Sequence, residues 1–313
     1  MEAIRCQGLT KYYGTTIGLD NLDLSIKEGA IFGFLGPNGA GKTTTLRILS
    51  GLSRPTAGRA WVAGEEVALN SYPLQRKLGY LPEEPAFYTW MSGREYLTFV
   101  GEIFRLPSNE IRTRCEEMLE LVDLTHAASR RIGGYSRRMR QRLGIAQALI
   151  NKPPVLFLDE PSSALDPLGR AEVLETLTRL KAQATTVFLS SHVLADVERV
   201  CDVVGIIDQG RLIVESGTEE LRQRFARSVF RVEFEDAAFP LIEQLERQPW
   251  VDRVEVEAGS DGSRFTVRTN DVPTAKKLLP GVIVDSGITL RHYELVLPTL
   301  EEVFIELLGK KED

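Results

Sequence analysis

Compact apolar runs at Ala30–Leu35, Val155–Leu158, Thr186–Ser190 and Val203–Asp208 punctuate the first two thirds of the chain. Runs of this length, without alternation, suit strands buried on both faces, the pattern of a mainly parallel sheet covered by helices. Asn21–Ile26 differs. Its Leu22, Leu24 and Ile26 alternate with polar residues, which predicts a half-exposed antiparallel strand. Between about Met91 and Asn151 the strand pattern disappears, and Glu95–Phe104, Asn109–Val122 and Arg137–Asn151 read as helices separated by polar breaks. They predict a helical insertion, about residues 87–152, inside an α/β domain.

The pattern changes near Phe225. Beyond it the chain reads as strand (Val229–Phe234), helix (Phe239–Arg247), strand (Val251–Glu257), strand (Arg264–Arg268), short helix (Val272–Leu279), strand (Ile288–Leu295) and a last helix (Leu300–Leu308). That order resembles a small ferredoxin-like α+β unit with an added terminal helix. The expected organisation is a first domain over 1–224 and an accessory domain over 225–313.

Charge sharpens this division. The whole net charge of −6 lies beyond Arg224, where 11 basic residues face 17 acidic ones. A tail of that sign repels a nucleic-acid backbone, so no nucleic-acid partner is expected. No apolar run approaches the roughly 18 residues that cross a bilayer, and Met1–Leu9 lacks a charged-then-apolar signal pattern. The expectation is a cytosolic chain that forms no transport path of its own. Cys6, Cys115 and Cys201 are far apart and odd in number, which reads as inert thiols in a reducing compartment. His126 and His292 lack metal-ligand companions and read as structural.

Three segments carry chemistry. Gly36-Pro37-Asn38-Gly39-Ala40-Gly41-Lys42-Thr43-Thr44 follows the run Ala30–Leu35 and opens a helix read as Thr44–Leu52. This is G-x-x-x-x-G-K-T in its expected strand-to-helix setting. Its glycines let backbone N–H groups face phosphate oxygens, and the helix start favours negative charge. Lys42 is expected to reach the outer phosphates and Thr43 to ligate Mg²⁺. Next, Val155–Leu158 delivers Asp159 and Glu160. Asp159 suits Mg²⁺, and Glu160 suits orienting or deprotonating an attacking water. Finally, Val187–Leu189 ends in Ser190-Ser191-His192, where His192 is placed to sense a terminal phosphate.

Taken in order, the P-loop, the helical insertion, Tyr135-Ser136-Arg137-Arg138-Met139-Arg140-Gln141-Arg142, the strand-end acids, Ser163-Ala164-Leu165-Asp166 and Ser190-Ser191-His192 resemble the nucleotide-binding domain of ABC ATPases. The resemblance spans about Met1 to Leu221. It implies ATP and Mg²⁺ as cofactors. Tyr13, or alternatively Tyr12, matches the aromatic residue that stacks on adenine. The resemblance makes Ser163 and Asp166 the D-loop. Glu83, in Leu78–Pro85, stands where the family usually has glutamine. That loop joins core to insertion, and the residue there helps ligate Mg²⁺ and senses the membrane subunit. A carboxylate remains a good oxygen ligand for a hard cation.

In the family the signature serine and glycines abut the partner subunit's ATP. Here Ser136 and Met139 keep the pattern, while Arg137 and Arg138 stand where glycines are common. Arg138 either obstructs the closed dimer and weakens hydrolysis or offers its guanidinium to the phosphates. Pro298–Gly309 resembles the terminal helix of an exporter class whose permease is a separate chain. The implied function is ATP hydrolysis, with Glu160, His192 and Lys42 catalytic, energising export through integral-membrane permease subunits. It also implies a second ATP-binding subunit and a cytoplasmic, peripheral location on the cell membrane. Two rival readings are a soluble ABC ATPase acting on ribosomes or DNA, and a weakly hydrolysing regulatory subunit.

Overall fold

The computed structural model describes residues 1–163, 165–181, 184–224, 229–257, 263–296 and 299–309. Ala164, Phe225 and Pro298, which the sequence reading used, lie outside these residues. Two compact units follow each other, Met1–Thr218 and Glu219–Asp313. The division falls a few residues before the change of pattern at Phe225.

The first unit opens with β1 (Glu2–Tyr13) and β2 (Thr16–Lys27), paired antiparallel. Along β2, Leu22, Leu24 and Ile26 are buried while their neighbours are exposed or half-exposed, as the alternation predicts. Next come β3 (Ile31–Leu35), α1 (Lys42–Leu49), β4 (Ala57–Val62) and β5 (Glu65–Glu66). β2, β1, β4 and β5 form one sheet in that order. After α2 (Tyr72–Arg76) and β6 (Leu78–Leu81) the helices α3 (Gly93–Ile103), α4 (Ser108–Leu121) and α5 (Arg137–Leu149) supply the insertion. The chain then runs through β7 (Val155–Asp159), α6 (Pro167–Lys181), β8 (Thr186–Ser191), α7 (Leu194–Val200), β9 (Val203–Asp208) and β10 (Arg211–Gly217).

The central sheet has the order β10-β9-β3-β8-β7-β6, parallel except for the edge strand β10. Every residue of β3, β7 and β8 is buried, which explains their unbroken apolar runs. Phe188 lies 5.2 Å from Phe32, 5.3 Å from Phe34 and 5.9 Å from Phe157, centroid to centroid. Such tilted and edge-on pairs add about 0.5–1.5 kcal/mol each beyond area burial. One element differs from the sequence reading. Leu78–Leu81, read as the start of a connecting loop, is the edge strand β6 and pairs with β7. Four residues are too few to show a period, so the pattern alone could not separate strand from loop.

The insertion starts with a capping box: Ser92 Oγ accepts from the Glu95 N–H and Glu95 accepts from the Ser92 N–H. It is tied internally by Tyr96 Oη donating to Gln147 Oε1 at 2.9 Å. Arg114 is buried and donates to the carbonyls of Leu149 and Ile150 at 2.6 and 3.2 Å, satisfying the end of α5.

α8 (Thr218–Arg224) begins at the division. The second unit comprises β11 (Val229–Phe234), α9 (Phe239–Glu246), β12 (Val251–Val256), β13 (Arg264–Thr269), α10 (Val272–Asp285), β14 (Leu290–Leu295) and α11 (Leu300–Gly309). Its sheet order is β12-β13-β11-β14, antiparallel throughout, which is the ferredoxin-like arrangement. Phe230, Val232, Phe234, Phe265 and Val267 form one core with Leu241, Leu245, Leu279 and Ile283 from α9 and α10. The sequence reading ends α10 at Leu279, before Pro280. The helix instead continues to Asp285 with Pro280 inside it. Ala275, Leu279 and Ile283 recur every fourth residue and are all buried, so burial of that stripe outweighs the proline's lost hydrogen bond.

Among the described residues no helix is long and apolar enough to cross a membrane. All three cysteines are buried and unbridged, and burial pushes the Cys6 thiol up to about 12.

Candidate functional site

The parallel strands β3, β7 and β8 deliver their carboxyl ends to one edge of the sheet. Cα pairing sets Asp159 beside Ser190 and Leu35 beside Ser191. The loop Gly36–Gly41 leaves β3 at this edge and enters α1. Gly41 has a φ of 112°, and a Cβ there would stand 2.5 Å from the Gly18 carbonyl oxygen, so only glycine fits. The expected start of this helix at Thr44 moves forward to Lys42. Lys42 is only 5% exposed. Its Nζ donates to the carbonyls of Gly36 at 2.7 Å and Pro37 at 3.2 Å, and lies 3.4 Å from Glu160 Oε1. An ammonium this buried needs both the carbonyls and the carboxylate.

Asp159 is 2% exposed and accepts from Ser190 Oγ at 2.7 Å and from Thr43 Oγ1 at 3.2 Å. Burial pushes its carboxyl up, and the Ser190 and Thr43 hydroxyls pull it partly back. Thr43 and Asp159 thus set two hard oxygen donors side by side.

Glu160 is 8% exposed with a φ of 48°, the left-handed region that disfavours a side chain. Its N–H is shared between the carbonyl and the hydroxyl of Ser190, at 3.2 and 3.0 Å. Glu160 Oε2 meets His192 Nδ1 at 2.8 Å and accepts from the His192 N–H at 3.3 Å. The His192 ring itself is about half exposed. A buried carboxylate is therefore gripped by a buried ammonium on one side and reaches solvent beside an imidazole on the other.

Asn38, Gly39, Gly41, Lys42, Thr43, Thr44, Glu83, Glu160 and His192 line one cleft of about 230 Å³. Gly36, Pro37 and Ala40 belong to the same loop without lining it. Asp159 lies beneath it. Tyr13 stands apart at the exposed end of β1, with Lys11 Nζ 5.1 Å from its ring centroid, and Tyr12 is also exposed.

The signature residues do not line the cleft of their own chain. Ser136 caps α5, its Oγ accepting from the Met139 N–H at 3.2 Å. Arg138 Nε lies 3.3 Å from Glu172 Oε2 on α6. Ser163 donates its N–H to the Glu160 carbonyl at 3.2 Å, and Asp166 Oδ1 accepts from the Gly169 N–H at 3.1 Å.

Ser190 is the residue the sequence reading passed over. It stabilises Asp159 through its hydroxyl and Glu160 through its backbone and hydroxyl at once. A serine near the end of a wholly buried strand must find hydrogen-bond partners, but the neighbouring strand decides which ones. Asp196 was passed over too. It is 4% exposed and takes Ser162 Oγ at 2.6 Å and Arg170 at 2.8 Å.

Comparison with known proteins fits this geometry. Residues 19–163 match the ABC transporter family model, and residues 217–308 match the C-terminal domain of DrrA1-3-like ATP-binding proteins. The chain is 40% identical to an uncharacterized ABC transporter ATP-binding protein, YxlF, from Bacillus subtilis, over 96% of this chain and 98% of that one. It is 37% identical to the daunorubicin resistance ATP-binding protein DrrA2 of Streptomyces coeruleorubidus, over 99% and 96%. The ATP-binding cassette MJ0796, solved as a dimer in a post-hydrolysis state with ADP and Pi, is 25% identical. It superimposes with a TM-score of 0.63 over 69% of this chain and 98% of its own. The chain belongs to the ABC transporter family, as an ATP-binding and ATP-hydrolysing subunit.

Proposed function

We propose that this subunit sits at the cytoplasmic face of the cell membrane, pairs with a second ATP-binding subunit, and drives export through a separate integral-membrane permease. In this reading the loop from Gly36 to Thr44 cradles the ATP phosphates. Lys42 exchanges its contact with Glu160 for the outer phosphates. Glu160 takes a proton from the attacking water, and His192 orients Glu160 while facing the terminal phosphate. Mg²⁺ suits the hard oxygens of Thr43 and Asp159, with Glu83 in the same cleft, and when bound it neutralises charge developing on the phosphates. Tyr13 stacks on adenine. Ser136 and Met139, at the start of α5, face the partner's ATP, while the Arg138 side chain turns back toward Glu172 of its own chain. Ser163 and Asp166 lie at the junction of the two chains.

The observation that carries the coupling to a permease is an open apolar groove between the core and the insertion. Leu52, Tyr72, Leu78, Val100, Ile103 and Phe104 line it, in a cleft of about 270 Å³. Leu52, Tyr72 and Ile103 are exposed there, as are Tyr88 and Trp90 in the loop before α3. Such a rim suits the apolar face of a partner helix. The resemblance over the full length to a protein named for daunorubicin resistance supports the outward direction. ATP shifts the pair toward its closed state because it binds that state more tightly, and hydrolysis reverses the shift.

The test is capture of a tagged Glu160→Gln chain with Mg-ATP from solubilised membranes. The expected result is a polytopic membrane protein at near-equal stoichiometry, lost when Ile103→Glu is added. Recovery only with ribosomes, DNA or another soluble ATPase overturns the reading.

A further inference from the structure

The first turn of α5 carries Arg137 and Arg138, and the fold treats them differently. Arg137 is exposed. Arg138 folds back along its own chain onto α6. Its Nε stands 3.3 Å from Glu172 Oε2, and Arg142 Nε stands 3.5 Å from the same oxygen. Glu172 Oε2 and Arg142 Nε are buried and make no hydrogen bond, so these contacts are ionic rather than directional. One carboxylate therefore holds two guanidinium groups that would otherwise repel each other.

The stem of Arg138 is fitted as well as its head. Gly169 is buried in the first turn of α6, and a Cβ there would meet Arg138 Cδ at 2.7 Å, Asp166 Oδ1 at 2.8 Å and Arg138 Cγ at 3.0 Å. The arginine stem and the Asp166 carboxylate together occupy the place of the missing side chain. That same turn receives the segment that begins at Glu160. Ser163 is bonded to the Glu160 carbonyl, Asp166 caps Gly169, and Ser162 reaches Asp196, which Arg170 also holds.

We infer that Arg138 is a positioning residue for ATP hydrolysis: with Glu172 and Gly169 it straps the start of α5 to the turn that anchors the segment leaving Glu160. Its guanidinium is neither an obstruction at the signature nor a ligand of phosphate. The strap acts within one chain, through the backbone that carries Glu160, so it affects turnover rather than affinity. The inference rests on hydrolysis by this subunit, which the Glu160→Gln control checks separately.

Steady-state hydrolysis by the full chain, read as kcat and KM for ATP, tests it. Arg138→Ala is expected to lower kcat about fivefold to tenfold with KM within about twofold of the parent. Glu172→Gln is expected to lower kcat with Arg138 intact, and the double variant to fall less than the product of the two. Gly169→Ala crowds both the arginine stem and Asp166 Oδ1, so it is expected to slow the parent by a larger factor than it slows the Arg138→Ala chain. Arg138→Lys, which keeps charge and stem, is expected to restore most of kcat. Thermal midpoints of all variants separate slowed turnover from loss of fold. A kcat at or above the parent in Arg138→Ala overturns the inference in favour of obstruction. A rise in KM with kcat unchanged overturns it in favour of a phosphate contact. Independent effects at positions 138, 169 and 172 overturn the strap itself.

Discussion

The two units of this chain both place charged residues on strands, and they do so under opposite conditions. In the first unit Asp159 ends a wholly buried strand, Glu160 follows it, and both are almost inaccessible. Each is held by named partners, Ser190, Thr43, Lys42 and His192. In the second unit the charges lie on the sheet face away from the core, exposed or half-exposed. Arg231 pairs with Glu294 at 2.7 Å, and Arg268 lies 3.7 Å from Glu255. Burial makes a charge costly unless its partners are fixed, whereas exposed pairs contribute about 0–1 kcal/mol. The difference marks where chemistry is built, and where charge only keeps a sheet face wet.

Several substitutions break or sharpen that contrast. The largest effect is expected in the apolar core of the second unit. Phe265→Ala removes a buried ring stacked near Phe234 and should cost that unit about 3–5 kcal/mol, read by chemical denaturation of the full chain. Glu160→Gln should lower ATP turnover by about a hundredfold or more while leaving the fold intact, read by phosphate release. Backbone strain at the same position gives a smaller, separable effect. Glu160→Gly should be about 1 kcal/mol more stable than Glu160→Ala, because only glycine accepts a φ of 48° freely, and thermal unfolding of the two variants reads it.

Asp159 gives a pH test. Its carboxyl is pushed up by burial, so ionised Asp159 weighs against the fold, and stability from this group grows as pH falls through the raised value. Asp159→Asn should therefore raise the thermal midpoint at neutral pH, with the gain fading as pH drops into the carboxylate range. An advantage that instead grew in acid would reverse the assignment of burial as the dominant cause. Smallest of all, Arg231→Gln should change stability by less than about 0.5 kcal/mol and leave turnover alone. A marked fall in turnover there would erase the contrast between the two units.

The same contrast explains what was legible in the sequence. The strands of the central sheet read clearly because burial on both faces leaves no polar interruption. The loop from Gly36 to Thr44 read clearly because its glycines, lysine and hydroxyls have a fixed spacing. The ferredoxin-like order was readable because its strands alternate between a covered face and a wet one. Ser190 was hidden because its role depends on β7 lying beside β8, which one segment cannot reveal. The strap of Arg138 was hidden for the same reason. Its orientation is set by Gly169 and Glu172, some thirty residues away. The run of α10 through Pro280 was missed because local propensity favours a stop that the buried Ile283 overrides.

The left-handed backbone of Glu160 has a consequence for mutation. Both glutamate codons become glycine codons by changing their second base alone. The change that deletes the carboxylate thus also relaxes the backbone that bears it. The relaxed backbone offsets part of the cost of leaving the buried Lys42 ammonium without its carboxylate, so selection for a well-folded chain protects this residue less than its burial alone implies. On the proposed reading of Glu160, selection on turnover supplies the rest of what keeps a glutamate in that place.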